Sequence, residues 1–290
     1  MRALLIGAGG FLGRHIRQVL ETAGVTVQLP PSGDLNRCAS AELQALVSSV
    51  DAVVNAAGRT AGSLPDLVQA NVLLPARLVE AAAASGVRLV HLGSAAEYGA
   101  GTGAPVRESD PCQPLGSYGI SKLAGTQLVV QAVATGQLRG TVLRVFNPLG
   151  AGMPAGTLPG RAVQQLQQAR SHPQAELHFG PLGQRRDFLD ARDVGRAVLH
   201  VLHTESPALL NVGLGETLSG RELVAALVEL SGFRGRIVED GDGSLRSGGV
   251  PFQQADVQLL RASGFAPAHT VHDALTALWS EAAPASALPA

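Results

Sequence analysis

The chain has 290 residues, enough for one or two domains with a substantial core, and its 46% hydrophobic and 16% charged composition reads as globular. Aromatics are only 3%, so Ala, Val and Leu must build that core. A formal net charge of −1 argues against a nucleic-acid or anionic-membrane surface, so neither nucleic acid nor membrane is expected as a partner. No apolar run reaches the length of a membrane span, and the chain enters a strand pattern at once, with no signal peptide. Cys38 and Cys112 have neither metal nor redox spacing, so no metal site is expected and cytoplasm is the default compartment.

In chain order, the pattern predicts a strand over Ala3–Ile6, a helix over Phe11–Ala23, a strand over Val25–Leu29, a helix over Ala41–Ser49 and a third strand over Ala52–Asn55. A long helix over Leu67–Ser85 closes at Gly86, and Val87–Leu92 is the fourth strand. A Gly- and Pro-rich loop runs from Gly99 to Gly116, followed by a helix over Ser117–Thr135 and a fifth strand over Thr141–Phe146. Strands this apolar are buried on both faces, and their alternation with helices predicts an α/β fold with a doubly wound parallel sheet. After Asn147 the rhythm breaks. Helices near 161–170, 190–203, 219–231 and 270–280 are expected, with short strands between them. The organisation predicted is a dinucleotide-binding domain over 1–150, a smaller substrate-binding region over 151–282 interleaved with the end of the sheet, and a disordered tail over 283–290.

Gly7-Ala-Gly-Gly-Phe-Leu-Gly13 follows the first strand and opens the first helix. Gly7, Gly10 and Gly13 permit a tight turn that brings backbone N–H groups to a pyrophosphate, with Phe11 and Leu12 on the same turn. Asp34 and Leu35 lie where the loop after the second strand would reach an adenine. Ala56, Ala57 and Gly58 follow Asn55 at the end of the third strand, where a dinucleotide would cross the sheet. Ser94 follows the fourth strand, and the C-terminal ends of parallel strands point at one crevice, so Ser94 can converge there with the helix that follows.

That helix carries the chain's only lysine, Lys122, four residues after Tyr118, one of two tyrosines. Positions i and i+4 share a helix face, so phenol and ammonium can project into one site. A cation beside a phenol favours the phenolate and lowers its pKa from about 10, and a tuned phenol can pass a proton to or from an oxygen near neutral pH.

Together these motifs make the chain resemble an extended short-chain dehydrogenase/reductase of the nucleotide-sugar epimerase/dehydratase/reductase group, with a Rossmann-type sheet. The resemblance runs nearly end to end. It takes in the glycine turn, Asn55–Gly58, Ser94–Gly99, Tyr118–Lys122, Arg144–Asn147, Arg186–Asp190 with Asp193, Asn211–Gly213 and Arg246 through Asp256. It implies that Tyr118 is the proton donor or acceptor, that Lys122 holds the nicotinamide ribose and tunes Tyr118, and that Ser94 positions the reacting oxygen. Asn147 falls where the family contacts the sugar diphosphate, and Arg186 and Arg246 where its arginines grip phosphate.

Sugar 4,6-dehydratases of this family carry a Thr-Asp-Glu run where this chain has Ser94-Ala95-Ala96, so the acid and base of dehydration are missing; Glu97 falls one position too late. Gly93–Gly99 resembles the corresponding run of GDP-4-keto-6-deoxymannose reductases, as do Phe146–Gly150 and Arg186–Asp193. The resemblance therefore implies an NAD(P)H-dependent 4-ketoreductase of a nucleotide-linked 4-keto-6-deoxyhexose, with a nucleotide-sugar C4 epimerase as the alternative. A non-catalytic dinucleotide-binding regulator on the same fold typically lacks the Tyr or the Lys. The stretch Leu29–Gly33 holds no acid for the ribose hydroxyls, which favours NADP(H) over NAD(H). Family members commonly dimerise through a four-helix bundle, here residues 67–85 and 117–135, so a homodimer is expected.

Overall fold

The computed structural model describes residues 1–31, 34–101, 103–172, 174–241 and 250–282. Arg246 and the tail expected over 283–290 lie outside the described residues. The first half builds β1 (Arg2–Ile6), α1 (Phe11–Thr22), β2 (Thr26–Gln28), α2 (Ser40–Ser48), β3 (Ala52–Asn55), α3 (Leu64–Val68), α4 (Leu74–Ser85), β4 (Arg88–Ser94), α5 (Ser117–Ala134) and β5 (Gly140–Val145). There follow β6 (Asn147–Leu149), α6 (Leu158–Gln168), β7 (Glu176–His178), β8 (Arg185–Arg186), β9 (Phe188–Asp190) and α7 (Ala191–His203). The chain continues with β10 (Leu209–Val212), β11 (Leu218–Ser219), α8 (Gly220–Ser231), β12 (Arg236–Val238), β13 (Phe252–Gln253), α9 (Gln258–Ala262) and α10 (Val271–Ala282).

Six parallel strands form the main sheet in the order β10-β5-β4-β3-β1-β2. All four residues of β3 are buried, as expected for a strand covered on both faces. Alternate side chains feed two separate cores. Ala3, Leu5, Val90, Leu92, Leu143 and Val145 pack under α1 and α7, while Leu4, Ile6, Val53, Leu89 and Val142 pack under α2, α4 and α5. The chain winds outward in opposite directions from β1 and β3, and that reversal point is where the crevice opens.

Residues beyond 150 do not form a simple appendage. β10 closes the main sheet beside β5, and α7 packs on α1, so two elements of the second half complete the first layer. The remainder surrounds a third core, in which Leu149, Val163, Leu166, Phe179, Phe188, Leu223, Leu227 and Leu278 meet.

The helix predicted to begin at Leu67 begins at Leu64. Ser63 accepts from Asp66 N at 3.4 Å while Asp66 accepts from Ser63 N, a reciprocal cap with Pro65 in the first turn. Between α3 and α4 one turn, Gln69–Leu73, widens to π geometry, so Leu64–Ser85 is one 22-residue helix. By length and composition this helix could cross a membrane; here it lies against α2 and α5, with 39% of its most apolar window buried.

Candidate active site

The glycine turn stands at the reversal point. Gly7 has φ of 83°, and a Cβ there would sit 2.6 Å from Ala57 N at the end of β3. A Cβ on Gly13 would collide with the Gly7 carbonyl. These glycines therefore hold β1, α1 and the β3 end in contact. Gly10 caps α1 without a side-chain hydrogen bond, and the first turn of α1 carries no acid, so the helix N-terminus is open to an anion. The turn thus fits a dinucleotide diphosphate.

Gly10, Phe11, Leu12, Ala56, Ala57 and Gly58 line a cleft of about 1030 Å³. Ser94, Tyr118 and Lys122 line it too, and Asn147 and Arg186 join it from the elements that follow β5. Eleven of the residues singled out from the sequence therefore meet in one cavity. Gly7 and Gly13 lie beneath it, in the turn. Asp34 and Leu35 are not among its lining residues. Leu35 is buried in the core under α2 and α4, and Asp34 accepts from Asn36 N at 3.0 Å and from Gln69 Nε2 at 2.9 Å. The Asn36 amide holds the Asp34 carboxyl below its usual range.

Lys122 is buried, and its Nζ donates to the Leu92 carbonyl at 2.5 Å. Burial pulls its pKa down to about 8, against the opposing pull of Glu97. Tyr118, one turn earlier on α5, is half-buried and faces the cleft.

Several polar groups hold these residues; Glu97, Tyr98, Arg144 and Asn211 stand in the motif runs of the sequence without a role there, and Thr126 and Asn71 were not singled out from it. Glu97 is fully buried: Oε1 accepts from Ser94 N at 2.7 Å and from Thr126 Oγ1 at 2.9 Å, and Oε2 from Arg144 Nε at 2.9 Å. One carboxylate thus joins the Ser94 turn, α5 and β5, which fits a structural role rather than that of a dehydration acid. Ser94 Oγ accepts from Ala96 N at 3.2 Å, completing the cap. The Arg144 guanidinium lies 4.3 Å over the Tyr98 ring, and the Tyr98 hydroxyl donates to Asn211 Oδ1 at 2.7 Å. Burial pushes the Tyr98 phenol up to about 12, so the second tyrosine is a core residue and holds its proton.

Asn71, in the π turn, donates to Ser121 Oγ at 2.9 Å and to Arg59 O at 2.8 Å, and accepts from Arg59 N at 2.9 Å. It ties the loop after Gly58 to α5, one residue before Lys122. A local widening of the helix brings this side chain inward, a use typical of π turns near functional sites. Asn55 Oδ1 accepts from Ala57 N, so its Nδ2 is the group that faces His91 Nδ1 at 3.1 Å and donates to it. His91 then carries its proton on Nε2. Burial and the neighbouring Lys122 push its pKa well down, so it stays neutral.

Across the cleft, Asn147 Nδ2 donates to Asp187 O at 2.9 Å. Arg186 donates to Val250 O at 2.6 Å and Gln184 Oε1 at 3.1 Å. Asp187 accepts from the N–H groups of Leu214, Gly215 and Ala255, and burial raises its pKa to about 6.

The model of a family described as "NAD dependent epimerase/dehydratase family" matches residues 3–213, most of the chain. The chain belongs to this family. It is an NAD(P)-dependent enzyme of the extended short-chain dehydrogenase/reductase group that modifies nucleotide sugars.

Among family members it is 40% identical to a dTDP-6-deoxy-L-talose 4-dehydrogenase (NAD(P)(+)) of Kitasatospora kifunensis, over 96% of this chain and 95% of the relative. It is 29% identical to a GDP-6-deoxy-D-mannose reductase of Pseudomonas aeruginosa, over 97% and 96%. The solved structure of RMD from Pseudomonas aeruginosa complexed with NADPH superposes with a TM-score of 0.85 at 28% identity, covering 97% of each chain. MoeE5 in complex with UDP-glucose and NAD gives 0.84 at 27% identity, over 97% and 98%. Members of the family thus take either nicotinamide dinucleotide, and a nicotinamide cofactor is common to them.

Proposed function

We propose that this enzyme is an NAD(P)H-dependent 4-ketoreductase of a nucleotide-linked 4-keto-6-deoxyhexose. The observation that carries the reading is the convergence of Ser94, Tyr118 and Lys122 on one cleft beside the glycine turn, with no carboxylate at positions 95 and 96. Two relatives, named for a 4-dehydrogenase and a reductase of 6-deoxyhexoses, support it. The cofactor is assigned to the glycine turn, Ala56–Gly58 and Lys122. The sugar nucleotide is assigned to Ser94, Asn147 and the region over 151–282.

When bound, the nicotinamide supplies the hydride. The chain's own residues hold the ketone and handle the proton. Ser94 Oγ donates a hydrogen bond to the keto oxygen, and the Tyr118 hydroxyl gives that oxygen its proton. Lys122, an ammonium below about pH 8, stabilises the phenolate left on Tyr118. Its contact with the Leu92 carbonyl fixes it at the end of β4.

Incubation with dTDP- or GDP-linked 4-keto-6-deoxyhexose should oxidise one cofactor per sugar reduced. Interconversion of C4 epimers with no net cofactor change would establish the second reading, a C4 epimerase, an activity of the kind a relative 30% identical over 80% of this chain is named for and which the same tyrosine–lysine pair would serve. Side-by-side titration should favour NADPH over NADH, since Leu29–Pro31 offers no acid to the adenine ribose. The helix over residues 64–85 and α5 pack on each other and expose Leu64, Leu73, Ile120 and Leu128, which suits a homodimer through this face. Ile120→Glu should then shift a dimer to monomer in light scattering.

A further inference from the structure

We propose that His91 is a positioning residue for the cofactor: it fixes the Asn55 side-chain amide in the one orientation that holds the Ala56–Gly58 turn in place. The inference rests on the assignment of Ala56–Gly58 to the dinucleotide. Asn55 ends β3 and stands opposite His91 in the parallel pairing with β4. Val53 and Leu89, two positions earlier on each strand, pack in the core under α2, α4 and α5, so Asn55 and His91 share that face of the sheet. Both are buried.

Leu89, Val90 and Leu92, the neighbours of His91 on β4, are apolar and buried. A histidine among them carries a cost, because its Nε2 is buried without a partner among the described residues. The other nitrogen gives the reason for it. Ala56 N donates to the Ile6 carbonyl at 2.9 Å, and Ala57 N donates to Asn55 Oδ1 at 3.2 Å. These two bonds lead the chain out of β3 and past Gly7, where a Cβ would sit 2.6 Å from Ala57 N. With Oδ1 committed to Ala57, Asn55 Nδ2 faces His91 Nδ1 at 3.1 Å. Only a neutral imidazole with its proton on Nε2 can accept there. Burial and Lys122 keep His91 in that neutral form. An apolar side chain at position 91 would leave Nδ2 without this acceptor and remove what selects the amide orientation. Turned over, the amide would set Nδ2 against Ala57 N, donor against donor, and the turn would lose its anchor. Neither Asn55 nor His91 is among the lining residues of the cleft, while Ala56, Ala57 and Gly58 are, so His91 acts through Asn55 and the turn.

The test titrates NADPH and NADH into wild type, His91→Leu and His91→Asn by nucleotide fluorescence. Leu and Asn share a shape, but only Asn places an oxygen acceptor close to the position of Nδ1. Wild type should bind at least one of the two dinucleotides. His91→Leu should lose about tenfold of that affinity, and His91→Asn should recover most of it. In an Asn55→Ala background, His91→Leu should cost no further affinity. Equal affinity in wild type and a folded His91→Leu protein would overturn the role of His91 and leave the cofactor assignment standing. Equal losses in the Leu and Asn variants, or an undiminished loss in the Asn55→Ala background, would also overturn it, by marking a packing residue. If wild type bound neither dinucleotide, the cofactor assignment itself would fall, and the proposal with it. Should His91→Leu not fold, His91→Gln takes its place. Its amide lies one carbon further out, so it should lose affinity where Asn keeps it, and equal affinity of the Gln and Asn variants would overturn the proposal.

Discussion

On the sheet side of the cleft, Lys122 is matched to the Leu92 carbonyl, Glu97 to Ser94, Thr126 and Arg144, and Asn71 to Ser121 and Arg59, while His91 Nε2 and Arg144 Nη1 are buried without a partner among the described residues. Across it, Arg186 meets only carbonyl and amide oxygens, and Arg161 keeps a buried Nε without a partner among the described residues. The first wall is pre-organised by the protein alone, which suits the part of the reaction that repeats in every turnover. The second is completed by what binds. Substitutions on the sheet side should therefore change chemistry or folding, while those on the far side should change affinity.

The largest effect that could break this contrast is at Lys122. Lys122→Met should lower turnover at least about hundredfold, the scale of a lost proton-transfer partner. The same substitution should raise stability at pH 7. The folded chain holds Lys122 with a pKa near 8 against the usual 10.5, so between those values the unfolded chain binds a proton that the folded one does not. Stability thus rises with pH across that window and is reduced below it, by up to about 3 kcal/mol. Urea melts of both proteins at pH 7 and pH 10 check this, and in wild type kcat/KM should fall as pH rises through about 8.

Glu97→Gln tests how far the sheet-side wall is held from within. It leaves the Arg144 guanidinium buried without its counter-charge, which should cost about 3–5 kcal/mol. It also removes the group that raises the Lys122 pKa, so the alkaline fall in activity should move to lower pH. An unmoved pH profile in a folded Glu97→Gln protein would reduce Glu97 to a packing residue.

Smaller effects separate the glycines at the two ends of α1. Gly13→Ala should open the turn against the Gly7 carbonyl and weaken NADPH binding, read by fluorescence titration. Gly24→Ala, at φ of 78° with nothing near its Cβ, should cost about 1 kcal/mol in stability and leave cofactor affinity unchanged.

The same contrast marks what was legible in the sequence. The alternation of β1 to β5 with helices, the glycine turn and the Tyr118–Lys122 spacing are local patterns, and each stands where the pattern points. β10 is not local: nothing near Leu209 says that it pairs with β5, some 65 residues earlier. The Glu97–Arg144 pair likewise joins residues whose individual neighbourhoods suggest only a turn and a strand. Asn71 did leave a signal, as a polar residue of low helix propensity within an apolar helix, and the π turn is its explanation. Arg161 reads as an ordinary surface arginine, because its character depends on a cavity assembled from several distant segments.

The most direct measurement is turnover and cofactor binding in Tyr118→Phe, assayed by NADPH oxidation with the 4-keto sugar nucleotide that wild type reduces. The account predicts loss of turnover by about a thousandfold with NADPH affinity intact, since only the proton donor is removed. Near-normal turnover in a folded Tyr118→Phe protein would contradict it, and with it the placement of the proton transfer on α5.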